Sequence, residues 1–147
     1  MLLPEEEAMK IVLALFLVGS LSMTSLAEEK TAPVGKETRV FELRTYTAVP
    51  GKMANLHARF RNHTCALLEK HGMVLIGFWT PTNEKGAEET LVYIVAHASE
   101  AAAKKSWDDF RKDPAWVEAR NLSEKDGPIV KKVDSLFLKP TDYSKLK

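Results

Sequence analysis

The stretch FELRTY at residues 41–46 decides the fold class of this 147-residue chain. Its side chains alternate between two faces, with Phe41, Leu43 and Thr45 on one and Glu42, Arg44 and Tyr46 on the other. A period of two residues predicts a half-buried β-strand, here over residues 39–47. Pro50 and Gly51 then end the strand and open a helix.

A helix and a pair of strands follow this first strand. Apolar residues at three- and four-residue steps predict the helix, with Gly72 as its C-terminal cap. The predicted buried stripe of that helix comprises Met53, Leu56, Phe60, His63 and Leu67. Runs rich in apolar and β-branched residues at 73–80 and 91–97 predict two buried strands, joined by a polar turn over residues 83–89.

A second helical region and a last strand complete the pattern. Ser99 is the predicted N-cap of a helix whose buried stripe is Ala103, Trp107 and Phe110. Asp113 is predicted to cap a further short helix with Pro114 in its first position, where a missing N–H costs nothing. Gly127 and Pro128 break the chain before the last strand, residues 129–138.

The order strand, helix, strand, strand, helix, strand predicts an α+β fold of the ferredoxin-like βαββαβ type. In that arrangement an antiparallel four-stranded sheet carries both helical regions on one face. The other face needs a cover, because a large apolar sheet surface is rare on a soluble monomer. We therefore predict a homodimer in which two sheets pack face to face as a dimeric α/β barrel.

The first 27 residues are predicted to be a secretory signal peptide. Lys10 precedes an apolar run over residues 11–18, and the small residues around Ala27 fit a cleavage site. The alternative is a membrane anchor, but the apolar run is shorter than the roughly 20 residues that span a bilayer. The acidic residues before Met9 suit no signal peptide, so Met9 rather than Met1 is the predicted start. The mature protein would be periplasmic or secreted, without a stable membrane anchor.

The rest of the chain is predicted to hold one domain. A flexible linker at residues 28–38 leads to the domain at 39–140, and a tail follows at 141–147. Without residues 1–27 the chain carries 20 basic and 17 acidic side chains. That balance gives no basic stripe for nucleic acid. Cys65 is the single cysteine, so it cannot form an internal disulfide. It is predicted to be a buried small hydrophobe, with an intermolecular disulfide as the alternative.

Three blocks of sequence resemble the NIPSNAP family. They are ELRTY at 42–46 with Pro50 and Gly51, KHG at 70–72 leading to GFW at 77–79, and DPAW at 113–116. The resemblance covers about residues 40–138 and implies a dimeric α/β-barrel fold, shared with cofactor-free monooxygenases and haem-degrading enzymes. It supplies no agreed catalytic residues. The best-known members are mitochondrial and vesicle-associated interaction proteins, and their partners do not transfer to a chain with a secretory signal.

A candidate ligand site follows from the alternation of the strands. Its predicted members are Arg44, Tyr46, Trp79, Tyr93 and His97, with Glu42 on the same face of the first strand. If that face lines the barrel interior, one cation, one imidazole and several rings would suit a small aromatic or carboxylate ligand. The alternative is that Arg44 and Glu42 form an ion pair and the rings belong to the core.

The histidines give two candidates for a catalytic base, His97 and His63. His63 belongs to the predicted apolar stripe, so it is expected to face the sheet. His57, His63 and His71 are not three or four residues apart, so we predict no metal site on this helix. We also predict no cofactor. His71 lies where a cation suits a helix C-terminus.

Two functions remain open at this point, and whether the chain is an enzyme is undecided. The first is an exported homodimer that binds a small molecule in the barrel cavity, with cofactor-independent oxygenation as its catalytic form. The second is a non-catalytic interaction or structural module whose barrel is filled by side chains. An open interior on which Arg44 and His97 converge would favour the first, and a packed interior would favour the second.

Overall fold

The computed structural model describes residues 39–147, which form a four-stranded sheet with helices between its strands. The strands are β1 (Val40–Ala48), β2 (Val74–Trp79), β3 (Thr90–His97) and β4 (Val130–Leu138). The helices are α1 (Met53–Arg59), α2 (Cys65–Lys70), α3 (Glu84–Glu89), α4 (Glu100–Lys112) and α5 (Pro114–Ser123). A π-helical turn (Phe60–Thr64) joins α1 to α2 without a break.

The sheet confirms the predicted ferredoxin-like α+β fold. Its strand order is β2-β3-β1-β4, and every pair is antiparallel. The central strands β1 and β3 are in register from Val40 opposite His97 to Thr47 opposite Thr90. Strands β2 and β4 form the two edges of the sheet. Both β2 and β3 were predicted to be buried; this holds for the central strand β3, but only in part for β2, because β2 is an edge strand.

One face of the sheet carries the core. Leu91, Tyr93 and Val95 of β3 point to this face and contact the buried sides of the helices. The helical members of the core are Met53, Leu56, Phe60, Leu67, Leu68, Trp107 and Phe110. Glu42, Arg44 and Tyr46 of β1 also lie on this helix side. The face that was expected to line a barrel interior therefore lies against the helices. The apolar sides of these helices supply most of the apolar surface that can cover it.

The predicted stripe of the first helix is wrong at one position. His63 is exposed, whereas its neighbour Thr64 is buried together with Leu67 and Leu68. The π-helical turn causes this shift, since it takes up one more residue per turn than an α-helix. Side chains after the turn are rotated, and Thr64 takes the inward position that an unbroken α-helix would give to His63.

A β-bulge in β2 also changes the predicted site. The register with β3 shifts between Leu75 and Gly77, so Phe78, opposite Tyr93, lies on the helix side in place of Trp79. Trp79 points to the opposite face, 51% exposed, with its indole lying over Gly77. A Cβ at Gly77 would be 2.6 Å from that ring, so the glycine allows the close approach.

The helix ends follow the sequence closely. The Ser99 Oγ accepts a hydrogen bond from the Ala102 N–H, and an Asp113 carboxylate oxygen accepts one from the Ala115 N–H. Gly72, at φ +79°, follows the C-terminus of α2. These caps were predicted. Helix α3 was not, because its sequence between β2 and β3 indicated only a polar turn; Asn83 caps it by accepting from the Gly86 N–H.

The second face of the sheet is largely open. Its apolar side chains include Leu43, Val74, Ile76, Trp79, Val92, Ile94, Leu136 and Leu138. Residues 139–147 lie across one end of this open face, where Pro140 and Leu146 line a groove together with Phe41. The Arg39 Nε donates to the Lys147 carbonyl oxygen over 2.8 Å, which ties the two ends of the described segment together.

The predictions for residues 1–38 lie outside the described residues. They comprise the signal peptide, the start at Met9 and the linker. None of the helices within residues 39–147 has the length and apolar character needed to cross a membrane.

Candidate functional site: a buried carboxylate and an arginine-lined cleft

Glu42 is the most completely buried acid of the described chain, with 1% of its surface exposed. Its Oε1 accepts hydrogen bonds from the Arg44 guanidinium and the Ser135 hydroxyl, each over 2.6 Å. Its Oε2 accepts from the Trp107 indole N–H over 2.6 Å and from the His97 Nε2 over 3.0 Å. Strands β1, β3 and β4 and helix α4 thus each bring a donor to one carboxylate.

This network fixes the ionisation of Glu42. Burial alone would raise the pKa of the carboxyl group, but hydrogen bonds from His97, Ser135 and Trp107 and the charge of Arg44 outweigh burial and lower the pKa to about 2. Glu42 is therefore a carboxylate at neutral pH, with no proton to give. Its role in this arrangement is to hold four donors in place.

Arg44 is enclosed by the same network. Its guanidinium carbon lies 4.1 Å from the centroid of the Trp107 ring and 5.8 Å from that of Tyr46. Such cation–π contacts add to the ion pair with Glu42. The Arg44 Nε is buried without a hydrogen-bond partner among the described residues. The ion pair that the sequence left as an alternative is therefore present.

His97 is held in one orientation by Glu42. Because an ionised carboxylate only accepts hydrogen bonds, the Nε2 must carry the proton in the bond to Oε2. The Nδ1 is buried and lacks a hydrogen-bond partner in the described part of the chain. The side chain has no exposed surface, so this candidate base is not open to solvent. His63, the second candidate base, is exposed on the π-helical turn and lines a separate depression with Asn62 and Leu122.

A cleft of about 300 Å³ opens beside Tyr46 on the helix side of the sheet. It lies between α5, the start of β4 and the end of α1. Its lining combines two aromatic rings, two arginines, one carboxylate and three apolar residues: Tyr46, Trp116, Arg59, Arg120, Glu124, Pro128, Val130 and Val133. We call it the α5 cleft. Its volume is at the small end of the range for ligand pockets, which suits a molecule of one or two rings.

The charged groups of the α5 cleft form one cluster. Arg59 donates from its terminal nitrogen to Glu124 Oε1 over 3.0 Å and to the Ser123 hydroxyl over 3.3 Å. Arg120 donates from its Nε to Glu124 Oε2 over 3.2 Å. Two guanidinium groups therefore share one carboxylate.

Arg59 is the unusual member of this cluster. Its side chain is only 3% exposed, and its guanidinium carbon lies 5.2 Å from the Trp116 ring centroid. Its Nε has no partner among the described residues. A buried cation needs a compensating anion, and Glu124 is the acid that pairs with it here.

The structure brings four of the five predicted ligand residues to one side of the sheet. Arg44 and His97 converge on Glu42, while Tyr46 and Tyr93 lie with their ring centroids 5.6 Å apart and their hydroxyls 3.5 Å apart. Trp79 does not join them: its indole lies over Gly77 in the edge strand β2, and the residue borders a depression that Phe60 and Phe78 also line. Tyr93 is fully buried and stacks on Phe78, so it belongs to the core. Tyr46 alone of the five lines the α5 cleft.

Sequence reasoning missed most of the α5 cleft and half of the Glu42 network. Trp107 was predicted as a core residue, and its N–H donor to Glu42 was not foreseen. Ser135 carried no signal, because its partner Glu42 is 93 positions away in the chain, and the pairing of Glu124 with Arg59 spans 65 positions. A charged residue at the end of an amphipathic helix, as Arg59 is, was the one hint available.

Two of the three sequence blocks that carried the family resemblance contact each other. Asp113 of the third block accepts hydrogen bonds from the Lys70 and His71 side chains of the second, over 2.6 and 2.8 Å. The hydrogen bond from Lys70 has the largest effect in lowering the pKa of the Asp113 carboxyl group, followed by those from His71 and the Ala115 N–H. His71, at the end of α2, thus links α2 to the N-cap residue of α5.

No group of three or more His, Cys, Asp or Glu side chains within residues 39–147 could hold a metal ion. Cys65 is partly buried and free, and burial, followed by the charge of Glu69, raises the pKa of its thiol.

A family model described as NIPSNAP matches residues 41–145. The fold is similar to that of a NIPSNAP family protein of unknown function from Agrobacterium tumefaciens, at 20% identity and a TM-score of 0.64, covering 76% of this chain and 96% of that one. An uncharacterised NIPSNAP-like domain protein from Burkholderia xenovorans is similar at 17% identity and a TM-score of 0.63, covering 74% and 90%.

A more distant similarity is to a monooxygenase from Streptomyces coelicolor, solved with nanaomycin D, at 13% identity and a TM-score of 0.49, covering 74% of this chain and 92% of that one. These similarities concern the fold alone. No curated protein matches the chain.

Proposed function

This chain belongs to the NIPSNAP family, and we propose that it acts as a homodimer that binds a small, partly aromatic molecule in the α5 cleft of each protomer. The observation that carries the proposal is the composition of the cleft. Tyr46, Trp116 and Val133 offer rings and apolar surface, and the arginines offer polar anchors. Apolar walls with a few fixed polar groups are typical of ligand sites.

The homodimer is proposed from the open face of the sheet. Leu136 is 56% exposed and Trp79 51% exposed on that face, beside other partly exposed apolar side chains. Apolar sheet surface of this kind marks an interface in soluble proteins. A second copy is the occupant that fits best, because two identical apolar sheets are self-complementary about a twofold axis. This arrangement leaves the α5 cleft free, since the cleft lies on the helix side.

Export and catalysis are further parts of the proposal. Export to the periplasm or the medium rests on the predicted signal peptide, and N-terminal sequencing of the exported protein should find Glu28 first.

Cofactor-independent oxygenation is the catalytic form of the ligand hypothesis. It would need a ligand that itself supplies the electrons to dioxygen, and oxygen consumption by the loaded protein is the measurement.

The alternative function is an interaction or structural module without a ligand. The pairing of Arg44 with Glu42 supports it, because Arg44 then has an internal anion and needs none from a ligand. The filled interior around Tyr93 supports it as well. The α5 cleft is the feature that this alternative leaves unexplained.

The test is native mass spectrometry of the purified protein, followed by titration with naphthalene-sized aromatic probes. Val133→Trp should fill the cleft and abolish binding. Val117→Trp is the matched control, because Val117 is exposed on α5 and does not line the cleft. We expect binding to wild type and to the control but not to Val133→Trp. Equal binding to all three proteins, or to none, would reject the cleft as a ligand site.

A further inference from the structure

We propose that the ligand of the α5 cleft is an anion, and that Glu124 is an internal anion that the ligand's acidic group displaces from Arg59. This inference rests on the proposed function and names its ligand class: a carboxylate or similar acid on a small aromatic or apolar body. It also assigns Glu124 a regulatory role, as a side chain that competes with the ligand.

The first argument is the state of Arg59. Its side chain is 3% exposed, yet it lines the cleft and keeps an unpartnered Nε. Arginine presents several donors in a planar fork that suits carboxylates. A guanidinium group enclosed in this way, with donor capacity left over, is suited to receive an acid from the cleft.

The second argument is the geometry of Glu124. The carboxylate follows the end of α5, is 23% exposed, and spreads its two oxygens between Arg59 and Arg120. Each oxygen makes one ion-pair contact, so neither arginine is held by two oxygens of the same acid. A ligand acid entering the cleft could pair with Arg59 while Glu124 stays with Arg120, which is 60% exposed and reaches solvent.

The third argument is charge balance. The cleft holds two guanidinium groups against one carboxylate, which leaves one positive charge without a counter-ion among the residues that line it. Binding a monoanion would neutralise the cleft. A neutral ligand would leave the excess charge in place, and a cation would increase it.

The experiment compares two probes of the same shape that differ in charge, 2-naphthoate and 2-naphthamide. Calorimetric titration of the wild-type protein should show tighter binding of the acid than of the amide. Glu124→Gln keeps the size of the side chain but removes its charge. We expect this variant to bind the acid at least about threefold more tightly, because the ligand no longer has to displace a partly exposed ion pair between Glu124 and Arg59. Its affinity for the amide should change little.

Two further variants complete the test. Glu118→Gln is the matched control, because Glu118 is exposed on the same helix and does not line the cleft; its affinities should equal those of wild type. Arg59→Met should lose the preference for the acid. Because this variant can also lose stability, its melting temperature is measured alongside, and Arg59→Lys, which keeps the charge, should retain part of the preference.

The outcomes separate this inference from the proposed function. Equal binding of acid and amide to wild type and to Glu124→Gln would reject the anion and the role of Glu124 while leaving the cleft a ligand site. Binding of neither probe to either protein would reject both. Weaker binding of the acid by Glu124→Gln would show that Glu124 assists the ligand and would overturn the competition.

Discussion

At the scale of single residues, the carboxylate of Glu42 links four parts of the chain. Arg44, His97, Trp107 and Ser135 each donate to it, and two of these donors lie 65 and 93 positions away in the sequence. Hydrogen bonds to a charged acceptor contribute about 1.5–3 kcal/mol each, and a buried charge without them is strongly unfavourable. The network therefore makes the first strand and its neighbours mutually dependent.

Arg44→Met tests the ion pair directly. The change leaves the Glu42 carboxylate buried without its cation, so we expect the free energy of unfolding to fall by about 3–5 kcal/mol. Urea denaturation measures this loss. The double variant Glu42→Gln/Arg44→Met should recover part of it, since no unpaired charge remains buried. A single variant as stable as wild type would show that Arg44 is not needed to balance Glu42.

The pH dependence of stability should report the same carboxylate. Its pKa is about 2 in the folded protein against an ordinary value of 4.5. Because the folded pKa is the lower one, the stabilisation is complete above about pH 5 and is lost as the pH falls toward 2. The shift corresponds to about 3 kcal/mol.

Denaturation of wild type and Glu42→Gln from pH 6 down to pH 2.5 measures this contribution. The difference in stability between the two proteins should shrink across that window. A difference that stays constant would mean that Glu42 titrates normally.

At the scale of elements, the π-helical turn positions the residues around the α5 cleft. Arg59 precedes the turn and faces the cleft, Asn62 and His63 lie outside, and Thr64 returns to the core. The Thr64 hydroxyl donates to the Arg59 carbonyl oxygen over 3.2 Å, a bond that spans the turn. Such turns often occur at functional sites. Here the turn lets the same helix present Arg59 to the cleft and Leu68 to the sheet.

Deleting Asn62 tests this interpretation. Removal of one exposed residue should convert the π-helical turn into an α-helical one while Thr64 and Leu68 still face the sheet, because the extra residue is what the turn accommodates. We expect a folded protein with a small drop in melting temperature. Deleting Ala66, which is also exposed but follows the turn, should rotate Leu67 and Leu68 out of the core and cost much more. Equal losses would mean that the turn has no role in setting the helix register.

The two irregular elements also explain which sequence predictions succeeded. Alternation and capping residues predicted the sheet, Ser99, Asp113 and the stripe with Trp107, since each depends on neighbours within a few positions. The π-helical turn and the bulge near Gly77 leave no recognisable pattern in the local sequence. Each of them changes the direction in which every later side chain of its helix or strand points. His63 and Trp79 were misplaced for that reason. The α5 cleft was missed because its lining comes from four separate elements.

At the scale of the whole molecule, the two faces of the sheet have different roles. The helix side holds the core, the Glu42 network and the α5 cleft. The open side exposes apolar side chains and carries residues 139–147 across one end. If the open side is the dimer interface, binding and assembly use opposite faces and need not interfere.

Leu136→Lys tests assembly. Leu136 lies on the open face and is already 56% exposed, so a lysine there should not disturb the fold but should place two charges in the interface. Sedimentation should find a dimer for wild type at micromolar concentration and a monomer for the variant. Leu122→Lys is the control, because Leu122 is 60% exposed on α5, away from the open face. This variant should remain dimeric. A monomeric wild-type protein would contradict the dimeric barrel.

The bond between Arg39 and Lys147 has a consequence for the order of the chain itself. It brings the two ends of the described domain within the reach of one side chain. A short peptide could therefore join Lys147 to Arg39, and new ends could be opened in the exposed loop around Thr82. The same sheet would then form from a circularly permuted gene, with β1 as an internal strand of the sequence and β3 as its first.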